Sequence, residues 1–312
     1  MKVRVDATPL TGTRCAICAS EGNAETVYPA NLGADAFTPA VFSARRAPDR
    51  IHYRIVRCLE CGLLRSDPVA SVELVSDLYS RSKFEYGGES ANLARTYGRY
   101  LAELDRYGHR KEALLEVGCG NGFFLEEARR RGYDVVRGVE PSADAVAQAP
   151  PSLRESIVVD VMRPNLFGEQ SFDAICLFQV LDHLPDPADV LNECLQLLRP
   201  GGLVLCLNHD VEALSARLLG ERSPIVDVEH TYLFSQKTIS QLFEALGFRV
   251  IACGPARNTY SLRYLSHLLP LPRRAKTPLL EVLDATRVGN LRLSLRLRNL
   301  YAIAQRPRES RS

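Results

Sequence analysis

The sequence predicts an α/β protein in which a mostly parallel sheet follows a small, cysteine-bearing N-terminal unit. The stretch from Ala113 to Leu125, ALLEVGCGNGFFL, has the pattern of a buried strand, a glycine turn and the first turns of a helix. After it, strand-like apolar runs alternate with helical patterns, which is typical of a parallel sheet. The chain has 312 residues, enough for two domains or for one large domain with additions.

The composition is that of an ordinary soluble globular protein, with 46% apolar and 24% charged residues. The net charge of +2 gives no indication of nucleic-acid binding, so we expect no nucleic-acid partner. No apolar run approaches the roughly 18 residues of a membrane-spanning helix. The N-terminus has no apolar signal-peptide core. We therefore expect a cytoplasmic protein.

Residues 1–70 are predicted to form a zinc-binding unit. Two C-x-x-C pairs, Cys15 with Cys18 and Cys58 with Cys61, are separated by 39 residues. Each pair can hold one metal through two thiolates, and together they complete a tetrahedral site, so we predict one structural zinc. Gly62 follows the second pair, where a tight turn favours positive φ. A redox dithiol and cysteines that bind nothing are the alternatives, but neither pair opens a helix after a strand as redox pairs do.

Residues 71–110 are predicted to be a helical connector or lid. Apolar and tyrosine side chains recur there at helical spacing, as a stripe one face wide, at Leu93, Tyr97, Tyr100, Leu101, Leu104 and Tyr107. A helix packed against the following domain explains this stripe. The less regular stretch before it, with Phe84, Tyr86 and Gly87-Gly88, is a candidate lid over a bound cofactor.

The glycine turn predicts a cofactor cradle at the end of a strand over Ala113 to Val117. Gly118, Gly120 and Gly122 let the backbone adopt positive φ or approach a ligand closely. The helix that follows, ending near Gly132, aims free N–H groups at the same place. The spacing is neither the dinucleotide pattern nor a P-loop. The carboxylate of Glu116 before the turn suits a ligand with a positive group, such as an amino acid ammonium.

Further strands are predicted along the chain. The run from Asp134 to Glu140 ends in an acid 22 residues after Gly118, a position suited to accepting ribose hydroxyls. The remaining runs with strand character are 156–161, 171–180, 201–208 and 248–253. Helices are predicted over residues 188–198 and over about 235–246.

Three motifs then carry a resemblance to the class I S-adenosylmethionine-dependent methyltransferases. They are LLEVGCGNGFFL, the DHLPDP segment from Asp182 to Pro187, and LLRPGG before the fifth strand. The resemblance implies a Rossmann-like, mostly parallel sheet with an antiparallel last strand, here 295–304, in a domain over residues 111–312. It also implies S-adenosylmethionine as cofactor. The cofactor-binding residues that we expect on the sequence and the resemblance together are Glu116, Gly118, Gly120, Asn121, Gly122, Glu140, Asp160, Phe178 and Gln179.

The cysteine unit in front of such a domain is similar to a narrower group, the sugar methyltransferases that act on nucleotide-linked sugars. Those enzymes carry a Glu-His pair, which Glu229 and His230 match. We therefore predict methyl transfer to a sugar of a nucleotide sugar or surface polysaccharide, with His230 as base. His183 is the next candidate, His209 is expected to cap or orient, and Asp182 is expected to orient substrate or His183.

The sequence is compatible with more than one methyl acceptor. A quinol, lipid or other small or carrier-linked molecule is the alternative substrate. A zinc-ribbon binding module with a cofactor-sensing domain is the alternative of another class. The segment over about residues 260–292 is predicted to be a basic helical insertion, with Arg263, Arg273, Arg274 and Lys276. It could contact an anionic substrate or a membrane surface.

Overall fold

The computed structural model describes residues 10–33, 37–38, 41, 50–80, 90–268 and 273–308. The candidate lid residues Phe84, Tyr86 and Gly87-Gly88 lie outside this described part. Among the described residues, no helix is long and apolar enough to cross a membrane.

Short strands and two helices form the first part of the described chain. The strands are β1 (Leu10–Thr11), β2 (Ala24–Tyr28), β3 (Ile55–Cys58), β4 (Leu64–Ser66) and β5 (Val69–Ala70). The helices are α1 (Val72–Ser80) and α2 (Ser90–Glu103), and a 3₁₀ turn at Leu104–Tyr107 follows α2. In the β3–β4 turn, Gly62 has a φ of 84°, which confirms the expectation of positive φ there.

Strands and helices alternate from residue 113 onward. The elements up to residue 209 are β6 (Ala113–Val117), α3 (Phe123–Arg130), β7 (Val135–Val139), α4 (Ala143–Ala147), α5 (Pro151–Arg154), β8 (Ile157–Val158), β9 (Phe172–Phe178), α6 (Pro187–Leu197) and β10 (Leu198–His209). Those after it are α7 (Leu214–Leu219), β11 (Tyr232–Leu233), α8 (Gln236–Ala245), β12 (Arg249–Pro255), β13 (Asn258–Ser261), α9 (Leu262–Leu268), α10 (Arg273–Ala285), β14 (Arg292–Leu295) and β15 (Asn299–Gln305).

Seven strands form the central sheet, in the order β12-β15-β10-β9-β6-β7-β8. The pairs among β10, β9, β6, β7 and β8 are parallel. The last strand, β15, runs antiparallel to both of its neighbours. The strands β6 and β9 are buried along their whole length because helices cover both faces. The predicted Rossmann-like sheet with an antiparallel last strand is therefore confirmed.

The strands predicted over 156–161 and 295–304 differ from the structure in their bounds. The strand expected over 156–161 pairs only at Ile157–Val158, because β8 is the sheet edge and the side chains of Val159 and Val161 are exposed. The strand expected over 295–304 begins at Asn299. Leu295 instead ends β14, which pairs with β13 beside the basic segment.

The small N-terminal sheet contains a strand from the far end of the chain. Its order is β11-β4-β3-β2, and Tyr232 of β11 pairs with Arg65 of β4. A backbone bond from the Ser66 N–H to the Thr231 carbonyl, 2.8 Å long, extends this contact. Cys15, Cys58 and Leu63 share one apolar core with residues of β6 and β9. The cysteine unit is thus packed directly on the central domain.

The basic segment carries an internal ion pair. Arg263 on α9 contacts Asp284 on α10 at 2.7 Å. Both side chains are about half exposed, so this pair contributes little to stability.

Candidate active site

The glycine loop after β6 lies at the carboxyl edge of the parallel sheet. Gly118, Gly120 and Gly122 have φ angles of 71°, 55° and 74°, in the left-handed region that glycine tolerates. A methyl group on Gly118 would lie 2.6 Å from Val180 Cγ2, so no side chain fits there. Gly122 directly precedes α3, so the N-terminal end of this helix lies at the loop. The predicted glycine turn is therefore present, and its role as a cofactor cradle stays a prediction.

Glu140 fastens this loop to the end of β7. Its Oε2 accepts a 2.9 Å hydrogen bond from the Gly120 N–H, and its Oε1 accepts one of 2.9 Å from the Ser142 N–H. Burial raises the pKa of Glu140, although these two bonds act in the opposite direction. A carboxylate oxygen has two lone pairs, so Glu140 retains acceptor capacity toward a ligand's hydroxyl groups.

Glu116 is a buried acid with unused acceptor capacity. It is 2% exposed, and its Oε2 has no hydrogen-bond partner within the described residues. Burial, assisted by the charge of Glu140, raises the pKa of Glu116 well above its ordinary value. An ammonium group placed against this carboxylate would satisfy the unpaired oxygen and favour its ionised form. The donor set therefore fits the amino acid end of S-adenosylmethionine.

The remaining expected cofactor residues lie in different surroundings. Asn121, in the glycine loop, has a buried Oδ1 without a described partner. Asp160 lies two residues beyond β8, where it hydrogen-bonds the Arg163 guanidinium at 2.9 Å and the Val161 N–H at 2.8 Å. These contacts lower the pKa of Asp160, the bond from Arg163 being the main cause. Asp160 is therefore partly exposed. A ligand that hydrogen-bonds to this carboxylate would do so beside the Arg163 guanidinium.

An aromatic stack lies over the end of β9. The ring of Phe178 stacks on Tyr97 of α2, with centroids 4.0 Å apart and planes at 14°. Phe124 of α3 meets the same Phe178 ring edge-on at 4.6 Å. The backbone of Gln179, at a φ of 59°, then donates to the Leu207 carbonyl at 2.7 Å. The stack fixes α2 beside the glycine loop, as its tyrosine stripe predicted.

Three histidines surround one buried carboxylate at the ends of β9 and β10. His209 Nδ1 lies 2.7 Å from Asp182 Oδ2, and His183 Nε2 lies 3.8 Å from Asp182 Oδ1. His230 Nε2 is 4.0 Å from Asp182 Oδ2. The His230 ring centroid is 4.7 Å from that of His183 and 4.9 Å from that of His209. Residues far apart in sequence thus form one cluster, which we call the Asp182 cluster.

The charges in the Asp182 cluster follow from burial and contact. Burial raises the pKa of Asp182, but the surrounding histidines outweigh it and lower the value below the usual range. Burial lowers the pKa of His183 and of His209 to about 4 each, against the opposing effect of Asp182. At neutral pH the cluster therefore contains an ionised Asp182 beside neutral His183 and His209 rings.

Sequence reasoning paired His230 with its neighbour Glu229, but the structure brings a different carboxylate to the ring. Asp182 lies among the histidines, whereas Glu229 contributes its backbone carbonyl to His183 Nδ1 at 3.2 Å. The Asp182–His209 hydrogen bond was missed. The signal that could have found it is position in the sheet. Asp182 follows β9 and His209 ends β10, and these two strands are parallel neighbours.

The four predicted zinc ligands also come together. The sulfur atoms of Cys15, Cys18, Cys58 and Cys61 all lie within 4.8 Å of one another. Burial raises the pKa of the Cys58 thiol, but hydrogen bonds from the Cys61 N–H and from Ser20 outweigh it and lower the value to about 6. Four sulfur atoms at this spacing could supply the tetrahedral ligand set that zinc prefers.

The family of the chain follows from a direct comparison. Residues 90–252, more than half of the sequence, match the family described as Methyltransferase domain. The chain belongs to this methyltransferase family. The match covers the glycine loop, Glu140 and the whole Asp182 cluster, and the sheet order is the one that the class I resemblance implied. The prediction of an S-adenosylmethionine-dependent methyltransferase is thereby confirmed.

Curated relatives match about a third of this methyltransferase. The ubiquinone biosynthesis O-methyltransferase of Methylococcus capsulatus is 32% identical over 116 residues, which are 34% of this chain and 48% of that protein. The protein of the same name from Xanthomonas oryzae pv. oryzae is 35% identical over 127 residues, or 38% of this chain and 52% of that one. The chain therefore spans about half the length of these relatives, and neither is a sugar methyltransferase.

Solved structures resemble this methyltransferase at low sequence identity. Geranyl diphosphate C-methyltransferase from Streptomyces coelicolor has a TM-score of 0.46 at 16% identity, covering 67% of this chain and 77% of that one. Phosphoethanolamine N-methyltransferase 2 from Haemonchus contortus has a TM-score of 0.45 at 17% identity, covering 78% of this chain and 62% of that one.

Proposed function

We propose that this enzyme methylates a hydroxyl group on an aromatic acceptor of the quinol type. The observation that carries the proposal is the 2.7 Å contact between Asp182 and His209 at the sheet edge that also bears the cofactor cradle. Support for the acceptor class comes from the names of the curated relatives, which are O-methyltransferases of ubiquinone biosynthesis. Those names favour the quinol alternative over the sugar acceptor that the cysteine unit suggested.

The chain's own groups would hold the cofactor at the glycine loop. When bound, S-adenosylmethionine supplies an electrophilic methyl carbon attached to a positively charged sulfur. Glu116 would pair with its ammonium group, and Glu140 would accept from its ribose hydroxyls. The other expected contacts are those of Gly118, Gly120, Asn121, Gly122, Asp160, Phe178 and Gln179.

His209 is the base that the geometry favours. An ionised carboxylate only accepts, so the 2.7 Å contact fixes the proton of His209 on Nδ1 and leaves Nε2 with a free lone pair. The His209 side chain is 21% exposed, whereas that of His230 is 8% exposed. An acceptor can therefore reach His209 more readily than His230. His230 with Glu229, and His183, remain the second candidates.

The reaction that these residues would support is an in-line displacement. The acceptor oxygen forms a bond to the methyl carbon while the carbon–sulfur bond breaks and its electron pair passes to sulfur. The hydroxyl proton moves to His209 Nε2, and Asp182 stabilises the imidazolium that forms. Positioning and proton removal are thus the two tasks of the protein.

Replacing His209 by Gln tests this assignment. We expect turnover to fall by about 100-fold or more, since general-base catalysis contributes about 10²–10⁴-fold. Affinity for S-adenosylhomocysteine should stay within about twofold, because the glycine loop is untouched. The matched control is His109→Gln, a histidine whose ring contacts Leu104 and Tyr133 on another part of the domain. Unchanged turnover in His209→Gln would refute the role and make His230 the next residue to replace.

The four-cysteine site is proposed to bind one structural zinc. The support is the mutual approach of the four sulfur atoms, with Cys15 and Cys61 at 3.3 Å and Cys18 and Cys58 at 3.5 Å. Because β11 completes the N-terminal sheet, this zinc would also fix the chain that follows His230. Metal analysis of protein purified without chelator should find one zinc held by these cysteines.

A further inference from the structure

We propose a second metal site in the Asp182 cluster, in which Asp182, His183 and His230 bind one divalent transition-metal ion. Their ligand atoms, one carboxylate oxygen and two imidazole nitrogens, lie within 4.8 Å of one another. This site is separate from the four cysteines. It contains two nitrogen donors and one oxygen donor, a set that suits Mn²⁺, Fe²⁺, Co²⁺ or Zn²⁺ better than Mg²⁺ or Ca²⁺.

The two histidines are oriented in the way that metal-binding histidines usually are. His230 Nδ1 lies 2.8 Å from the Ile225 carbonyl, and His183 Nδ1 lies 3.2 Å from the Glu229 carbonyl. A carbonyl can only accept, so each Nδ1 must carry the hydrogen. In a neutral ring each Nε2 is then an unprotonated donor toward a metal. Such backbone contacts are the usual outer-shell support of a histidine ligand.

The three metal-ligating atoms surround a point where a cation would be favourable. Asp182 is buried, and no hydrogen-bond donor reaches its Oδ1 within the described part of the chain. His183 Nε2 faces this oxygen at 3.8 Å, and His230 Nε2 lies 4.0 Å from Oδ2. A cation placed between the three groups would accept a lone pair from each of them. An ion at the centre of such a triangle would lie about 2.2–2.8 Å from each atom, near ordinary coordination distances.

The surrounding backbone and His209 hold the ligands in this arrangement. His209 donates to Asp182 Oδ2, and Asp182 Oδ1 faces the ring of His183. The Asp182 carbonyl accepts from the Thr231 N–H at 2.8 Å, so the segment after β9 is tied to the segment that carries His230. Ser66 Oγ donates to the His230 carbonyl at 2.9 Å from the zinc-unit side. Both halves of the site are therefore positioned before any ion arrives.

A role for the ion in catalysis rests on the proposed function. Three protein ligands leave coordination positions open, and a hydroxyl oxygen bound there becomes more acidic because the metal withdraws charge. The acceptor hydroxyl would then lose its proton to His209 more readily. This links the metal to acceptors that ionise at oxygen, such as phenols.

Titration of full-length protein that contains no more than one zinc per chain with Mn²⁺, followed by electron paramagnetic resonance, tests the site without acceptor or cofactor. We expect one Mn²⁺ per chain, with pulsed spectra that show coupling to histidine nitrogen. Asp182→Asn and His183→Gln should each weaken Mn²⁺ binding by about tenfold or more, while His109→Gln should not.

Two results would overturn the proposal. One is the absence of any Mn²⁺ or Co²⁺ binding to the wild-type protein at millimolar ion, which would mean that protons fill the space between the rings. The other is binding that lacks nitrogen coupling and persists in Asp182→Asn. Neither result depends on turnover, so failure of the metal site is distinguishable from failure of the proposed acceptor or of His209 as base.

Discussion

Replacing Gly118 by Ala tests how the cofactor cradle is built. At a φ of 71°, an L-residue costs about 1–2 kcal/mol. The new Cβ would also lie 2.6 Å from Val180 Cγ2, and overpacking of this kind costs about 1–3 kcal/mol. Together the two effects predict a loss of about 2–5 kcal/mol in the free energy of unfolding. Affinity for S-adenosylhomocysteine should fall as well, because the shifted loop carries the N–H of Gly120.

Gly132→Ala is the matched control for this substitution. Gly132 has a φ of 92°, but a Cβ there would meet no atom within 4 Å. It should therefore show the backbone cost alone. Adding Val180→Ala to Gly118→Ala removes the clashing methyl group and should recover the difference between the two single variants. Urea unfolding followed by far-ultraviolet circular dichroism measures all four proteins. Equal losses in Gly118→Ala and Gly132→Ala, with no recovery in the double variant, would refute the packing argument.

Three further predictions concern the cofactor pocket and the N-terminal unit. Affinity for S-adenosylhomocysteine should rise with pH, because Glu116, whose pKa is raised, becomes a carboxylate. Calorimetry should find that this rise is absent in Glu116→Gln. Tyr97→Ala removes the ring stacked on Phe178 and should cost about 3–5 kcal/mol in urea unfolding, whereas Tyr97→Phe should keep most of that stability. Cys15→Ser should lower the zinc content, and it should raise hydrogen exchange in β2–β4 more than in β6 or β9. An equal rise in exchange in all of these strands would contradict a local structural zinc.

The elements near the glycine loop could be predicted because their signals are local. The strand from Ala113 to Val117 has the predicted bounds, and Glu140 lies at the end of the next strand as its spacing indicated. Strand length at the sheet edge was less predictable. The apolar residues Val159 and Val161 resemble a buried strand in sequence, yet they lie exposed beyond β8.

The pairing of the catalytic candidates could not be predicted, because it depends on contacts between distant segments. Asp182 meets His209 and His230 only once β9, β10 and the segment before β11 are assembled. Adjacent residues such as Glu229 and His230 suggest a pair, but their side chains need not point the same way. The entry of Tyr232–Leu233 into the cysteine-unit sheet is a tertiary feature of the same kind.

Label transfer from methyl-tritiated S-adenosylmethionine tests the central claim most directly. Wild-type protein would be incubated with matched panels of hydroxylated aromatic compounds and nucleotide sugars, and the labelled products identified by mass spectrometry. We predict label on a phenolic oxygen of a quinol-type acceptor, reduced about 100-fold or more in His209→Gln. Label on a sugar, or label on a quinol that His209→Gln transfers at the wild-type rate, would contradict the account.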